Sequence, residues 1–418
     1  MNRSSYSDRI VGHWVATVLE VLRIRDFRIL WGAGLVSALG SWLLVIAVPA
    51  HVFQATGSLR ATGLTLAAEY LPSLLLGPLA GVLTDRLDRR RLMVGADVFC
   101  AAAVALMLLG MPDGRYWLIY VALIAENCGI VVHAPVWQAR TPEIVGTGPL
   151  LSSANALNAA STGTVRLLGG PAGGVLLTVI GIKWLICADA ASYLAAATAV
   201  ALTSRPDRMQ VDGTAPTILS LARDLSDGAR ILLRQPVARA LLPVTIIFLT
   251  ANASLSAVLI PFGVERLGGS GHTGLLFSCL GIGFLLGAPV VRLLLDRART
   301  RPVLTVSLAV TGLASFVLFS SSSLAIALPA AVAVGMFGSM TLVSSQTTVQ
   351  RVIPNAALGR VISAFLVGEA AATLIGALSG PFLAQARQIT GLAIIASAVT
   401  VGAAALAWLI IPRAAELN

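Results

Sequence analysis

Long apolar stretches alternate with short polar breaks along this chain, and the alternation recurs twelve times, near residues 28–53, 61–84, 92–111, 116–138, 154–179, 183–203, 239–264, 273–295, 302–320, 324–349, 360–383 and 389–411. Each stretch is close to the roughly 20 residues that a helix needs to cross about 30 Å of hydrocarbon at about 1.5 Å per residue. The slightest break is residues 320–323, four serines between the ninth and tenth spans. The pattern therefore predicts an all-α integral membrane protein with 12 transmembrane helices.

Residues 204–238 form the longest polar run and divide the chain almost equally. Within it, Leu221, Leu225, Ile231 and Leu232 fall at helical spacing beside Arg223, Asp224, Asp227 and Arg230, which predicts a helix lying on the membrane surface over 218–233. The expected plan is a cytoplasmic segment 1–26, a six-helix bundle 27–203, a linker 204–238 with its amphipathic helix, a second bundle 239–411 and a tail 412–418. Between spans two and three runs Gly81-Val82-Leu83-Thr84-Asp85-Arg86-Leu87-Asp88-Arg89-Arg90-Arg91, and a partial copy returns as Arg292-Leu293-Leu294-Leu295-Asp296-Arg297. The two copies lie about half a chain apart, which points to duplication and two pseudo-symmetric bundles. A loop this short also makes its flanking helices antiparallel neighbours.

Composition narrows the class. With 57% hydrophobic and 11% charged residues and a mean hydropathy of +0.87, the chain has too little polar surface to coat a water-soluble globule of 418 residues. The net charge of +10 does not point to nucleic acid, because the arginines sit in short loops rather than along one exposed stripe. On the side that holds the N-terminus there are 23 basic residues, against five on the other (Arg60, Arg115, Lys183, Arg266 and Arg387). Basic loops stay in the cytoplasm, so both termini are expected there. The polar, arginine-bearing start is not a secretory signal. Residues 15–30 read as a surface-lying helix with Trp31 at headgroup depth, and Tyr116, Trp117, Trp184 and Trp408 fall at span ends.

Candidate chemistry is sparse. Cys100, Cys128, Cys187 and Cys279 stand singly inside spans, and His13, His51, His133 and His272 are scattered, so neither a metal site nor a cofactor is expected. Outer loops of a few residues carry no Ser/His/Asp grouping, HExxH or phosphate-binding glycine loop, which argues against an enzyme. Charged groups inside spans are the best candidates, since each costs roughly 2.5 to 3.5 kcal/mol at mid-membrane unless it meets a partner or water. Glu126 of span four and Arg166 of span five both fall near the midplane. They are read either as a proton switch or as a permanent ion pair. Glu369 lies near mid-depth in span eleven and Glu69 nearer the outer side of span two; both are open to proton coupling, substrate binding or a structural role. Asp97 is placed as a partner of the arginine loop, and Asp189 as a helix-end stabiliser. Asn127, Asn158, Asn252 and Gln346 are candidates for the cavity lining or for interhelical hydrogen bonds.

The Gly81 to Arg91 stretch resembles the signature loop between helices two and three of the major facilitator superfamily, departing from it at Asp88, where a glycine usually precedes the basic pair. The resemblance implies a cytoplasmic gate made of Gly81, Asp85, Arg86, Arg89, Arg90 and Arg91, with Asp97 behind it and a second, weaker gate at Asp296 and Arg297. Phe27-Arg28-Ile29-Leu30-Trp31, Gln54-Ala55-Thr56-Gly57-Ser58, Ala134-Pro135-Val136-Trp137-Gln138-Ala139-Arg140-Thr141-Pro142-Glu143, Ala154-Asn155-Ala156-Leu157, Arg166-Leu167-Leu168-Gly169-Gly170-Pro171-Ala172 and Asp189-Ala190 look like the macrolide-efflux and enterobactin-exporter group. Gly163, Gly170, Pro171 and Gly174 are similar to the glycine-proline signature that drug/proton antiporters carry in span five. What the resemblance implies is alternating access, with two bundles rocking around a central site. The first and fourth helices of each bundle would line it, nominating Trp42, Glu126, Asn127, Asn252 and Gln346. The implied activity is proton-coupled efflux of amphiphilic small molecules such as drugs across a bacterial cytoplasmic membrane, by an expected monomer whose partners are substrate, protons and lipid. Export of a siderophore or other metabolite shares nearly every one of these features. An importer and a membrane-embedded enzyme are the more distant alternatives.

Overall fold

The computed structural model describes residues 20–86, 88–111, 114–146, 149–204, 218–295 and 300–412. Among them every regular element is helical: α1 (Arg25–Thr56), α2 (Leu59–Arg86), α3 (Arg89–Gly110), α4 (Trp117–Val145), α5 (Pro149–Val179), α6 (Ile182–Ala201), α7 (Ile218–Arg234), α8 (Pro236–Arg266), α9 (Ser270–Leu295), α10 (Thr300–Ser320), α11 (Leu324–Val352) and α12 (Asn355–Ile410). With 56 residues, α12 is more than twice the length of one crossing, and Gln388, at φ 63°, breaks it into two spans where the sequence predicts a loop. Leaving aside α7 and counting α12 twice, twelve segments match the twelve apolar stretches. Several outrun the predicted bounds. Helix α4, for example, continues to Val145 rather than stopping near 138, because a helix satisfies its own backbone after its apolar face has ended.

Large apolar side chains remain on the outside of these helices, among them Leu75, Leu109, Leu313 and Leu409, each more than 60% exposed. Lipid is the solvent that such a surface requires. Trp117 and Trp184 are exposed at the starts of α4 and α6. Trp408 has the Arg301 guanidinium 4.2 Å above its ring.

By contacts the chain forms two units. One comprises Met1–Trp42, Leu79–Gly169 and Lys183–Pro216; the other comprises Leu43–Pro78, Gly170–Ile182 and Thr217–Asn418. The contact units and the covalent halves are thus different divisions: the linker 204–238 separates the halves, yet part of α1, most of α2 and the end of α5 pack with the second. The second unit is built around α8. Val258, Phe262, Leu276, Phe319 and Ala331 form one core cluster, and Leu241, Val244, Phe248, Leu304 and Phe365 another. In the same unit Gly63 meets Pro381 so closely that no side chain would fit, and the Arg60 guanidinium lies 4.5 Å over the Phe382 ring. Helix α7 lies over 218–234, as its amphipathic pattern predicts. It is also docked: Leu232 is buried, Gly228 abuts the Arg360 carbonyl at the start of α12, and Gln235 donates to the Val352 carbonyl at 3.1 Å.

Candidate functional site

Inside the first unit, α3, α4 and α6 each contribute a buried carboxyl, Asp97, Glu126 and Asp189, and each is less than 5% exposed. Small residues let the helices close around them. Gly129 of α4 lies against Cys100 of α3, and Gly40 of α1 against Asp189 and Ser192 of α6, with no room for a side chain at either.

The Tyr193 hydroxyl donates to Glu126 Oε1 at 3.1 Å and stands 2.9 Å from the Ser41 hydroxyl. The Cys100 thiol donates to the Glu126 carbonyl at 3.4 Å, and the Ser192 hydroxyl donates to Asp189 Oδ1 at 3.2 Å. Asp189 is close enough to Glu126 for their charges to interact. Among the described residues no arginine or lysine pairs with any of these carboxyls. The nearest cationic candidate is His133, whose Nε2 lies 3.5 Å from Asp97 Oδ1, while Asp97 Oδ2 and Asp189 Oδ2 are buried without a hydrogen-bond partner. A buried acid linked to hydroxyls, as Glu126 is to Ser41 through Tyr193, can hold a proton and pass it along them.

The sequence candidates fare unequally. Glu126 is bonded to Tyr193; the side chain of Arg166, its expected partner, lies outside the described residues. Asp97 is not beside the arginine loop but faces His133, because about two turns of α3 separate it from Arg89. Asp189 is not at a helix end but in the body of α6, fully buried. Glu369 of α12 has Gln346 of α11 within hydrogen-bonding reach, so two candidates meet, and its Oε1 is buried without a partner. Glu69 is half-buried on α2. Trp42 and Trp137 line a chamber with Asp97. Asn127 donates to its own helix, at the Leu123 carbonyl, and Asn252 lines a mainly apolar cavity of about 200 Å³ in the second unit with Phe248, Phe284 and Phe319.

Of the gate, the surroundings of Gly81, the side chains of Asp85 and Arg86, and all of Asp296 and Arg297 lie outside the described residues. Arg89 pairs with Glu143 of α4, which also sits 3.6 Å from the buried Arg140; Arg140 donates to Thr203 Oγ1 at 3.1 Å and to the Ser204 carbonyl at 2.8 Å. Arg90 donates to the Ala201 carbonyl at the end of α6. The Asp88 side chain caps α3 by accepting the Arg91 N–H at 2.9 Å, and that bond holds its carboxyl below the usual 3.8. In α5 the tight contacts are at Gly169 on Trp42, Gly170 on Ile46 and Gly173 on Leu43; the Pro171 side chain lies outside the described residues.

Tyr193, Ser41, His133 and Cys100 were not singled out from sequence. A helical signal was present: Asp189 and Tyr193 are four residues apart, Asp97 and Cys100 three, and Glu126 and His133 seven, each pair on one face.

Comparison with known proteins places this architecture. The family model described as Major Facilitator Superfamily matches residues 30–364 and 241–418. Macrolide efflux protein A of Streptococcus pyogenes is 25% identical over 294 residues, covering 69% of this chain and 71% of that one. The multidrug efflux pump Tap of Mycolicibacterium fortuitum is 25% identical over 266 residues, 61% of this chain and 64% of its own. The fold is shared with the crystal structure of a bacterial homologue of the iron transporter ferroportin in its inward-facing state, with a TM-score of 0.75 at 16% identity over 93% of this chain and 99% of that one. Twelve apolar helical segments among the described residues and a family match across most of the chain make it a multi-pass membrane transporter, and it belongs to the major facilitator superfamily.

Proposed function

We propose that this chain is a proton-coupled exporter of amphiphilic small molecules, an antiporter working by alternating access in a bacterial cytoplasmic membrane, with both termini in the cytoplasm and a single copy sufficient. Similarity to efflux proteins for a macrolide and for multiple drugs supports export. The observation that carries proton coupling is the Glu126 site: a buried carboxyl within an apolar helix, hydrogen-bonded to Tyr193 and within electrostatic range of Asp189, with no arginine or lysine paired to it among the described residues. Such a group holds a proton while sealed from water and exchanges it when a rearrangement wets the site. Arg166 remains a candidate for modulating it, and Glu369 with Gln346, and Glu69, for a second coupling or substrate-binding position. The bundles 27–203 and 239–411 are the moving parts in this reading. The loop around Asp85 and Arg89 to Arg91 is the cytoplasmic gate.

The test is uptake of candidate drugs into everted membrane vesicles under an imposed proton gradient. Wild-type protein should accumulate substrate and lose it when the gradient is collapsed. Glu126→Gln should abolish that accumulation while the protein remains folded in the membrane. Undiminished gradient-driven uptake by Glu126→Gln would reject this assignment. A substrate panel of drugs and siderophores in the same vesicles separates drug export from metabolite export.

A further inference from the structure

The cavity of about 200 Å³ in the second unit is enclosed by α8, α9, α10 and α11. It falls between the two core clusters of that unit: Phe319 belongs to one and Phe248 to the other, and both line the gap with Phe284 of α9. Its walls are held in place. The buried Phe319 ring lies 4.9 Å from that of Phe262, and Gly335 of α11 is pressed against the Leu280 carbonyl of α9, so those two helices can close no further. Gly338, three residues along α11, differs: a methyl group there would meet nothing nearer than the Phe248 ring, at 3.9 Å. The side chain that glycine lacks is part of the open volume.

Two polar groups line this cavity without a partner. Among the described residues, neither the Asn252 amide nor the Ser315 hydroxyl makes a hydrogen bond, although hydroxyls one turn or less away on the same helices do. Ser254 donates to the Thr250 carbonyl and Thr311 to the Ser307 carbonyl, each at 2.7 Å. Polar groups left open in an apolar surrounding are costly, and a ligand that bonds them removes that cost. No acid, arginine, lysine or histidine lines the cavity among the described residues, so an ionised ligand would meet no counter-charge.

We infer that this cavity binds a neutral phenol with one ring and a short alkyl substituent. The ring makes edge and face contacts with Phe248, Phe284 and Phe319. Its hydroxyl donates to the Asn252 side-chain oxygen and accepts from Ser315, so one group on the ligand satisfies both open positions. The volume is below the roughly 300 to 1,000 Å³ of sites for drug-sized ligands, which restricts the occupant to a single ring. Every lining residue belongs to the second unit, so the site is separate from Glu126 and its hydroxyls. The inference goes beyond the export reading and stands without it, since binding here needs no proton gradient.

The purified full-length protein in detergent should be dialysed to equilibrium against radiolabelled 4-propylphenol, with protein-free micelles as the blank. Partition into micelles rises linearly with concentration, whereas a site saturates. The expected result is saturable binding of one phenol per chain. Unlabelled propylbenzene, the same shape without the hydroxyl, should compete about tenfold less well than unlabelled phenol. The anion 4-propylbenzoate should not compete at neutral pH. Gly338→Leu, which fills the cavity, should abolish saturable binding, and Gly402→Leu, at an open position on α12, should leave it unchanged. Asn252→Leu should lower phenol affinity about tenfold. The site is overturned by non-saturable binding to the wild type, by equal competition from propylbenzene and phenol, or by undiminished binding to a folded Gly338→Leu protein. The competition series needs no variant, so it decides the matter even where Gly338→Leu fails to fold.

Discussion

Asp88 stands where the family's loop usually has glycine, and its position in the structure supplies the reason: it accepts the Arg91 N–H and closes the first turn of α3. Asp88→Ala should weaken that helix start by about 0.5 to 2 kcal/mol, seen as faster amide exchange over the first turn of α3. Because the bond depresses the carboxyl's folded pKa, its contribution is complete above the ordinary value of 3.8 and is lost as pH falls through the lowered one. The cap is therefore intact at neutral pH and fails only in strong acid, which exchange rates measured down a pH series would check. A harsher loss is expected at Glu143, which holds Arg89 and the fully buried Arg140. Removing its charge leaves a buried guanidinium short of its counter-ion, a change that costs about 3 to 5 kcal/mol in comparable pairs. Glu143→Gln should lower the thermal midpoint of the purified protein and reduce its yield.

At the scale of elements, the same device is used twice. Gly169 and Gly173 of α5, four residues apart, lie against Trp42 and Leu43 of α1, and Gly376 and Gly380 of α12, also four apart, lie against Thr250 and Ser254 of α8. One turn of helix separates the members of each pair, so both face the partner and bring the two backbones into contact. This correspondence strengthens the duplication first legible in the Asp85 and Asp296 loops. Gly173→Val and Gly380→Val should each force their helix pair apart, with about 1 to 3 kcal/mol of overpacking. Gly57→Ala at the exposed α1–α2 turn, where nothing lies within 4 Å, should show a smaller effect set by its positive φ of 61° alone. Thermal unfolding of the three variants side by side would establish the order.

For the whole molecule, the grouping of 43–78 and 170–182 with the second half is the decisive tertiary fact. The ends of α1 and α2 away from the arginine loop are sealed against α12, through Arg60 over Phe382 and Gly63 on Pro381. Gly63→Leu should break that seal. In a cysteine-free background carrying Thr62→Cys, a position buried in the folded protein, an impermeant thiol reagent added on the side of the α1–α2 turn should label the Gly63→Leu protein several times faster. What the sequence determined by itself is the number and order of the apolar helices and the position of the linker helix, because each depends on local apolar length or helical period carried by neighbouring residues; the docking of that helix on α12 came only with the fold. Glu126 was legible for the same reason: a charge within an apolar stretch is conspicuous one residue at a time. The identity of its partner was not. Tyr193 lies 67 residues away and Ser41 is 152 residues from Tyr193, and nothing local distinguishes a hydroxyl that faces an acid from one that bonds its own helix. Asp97 and Asp189 were misplaced because depth and rotation about the helix axis, set by packing at Gly40, Gly34 and Gly129, decide what a buried carboxyl meets. Only the folded arrangement of α1, α3, α4 and α6 buries Asp97 beside His133 and Asp189 beside Ser192 and Gly40.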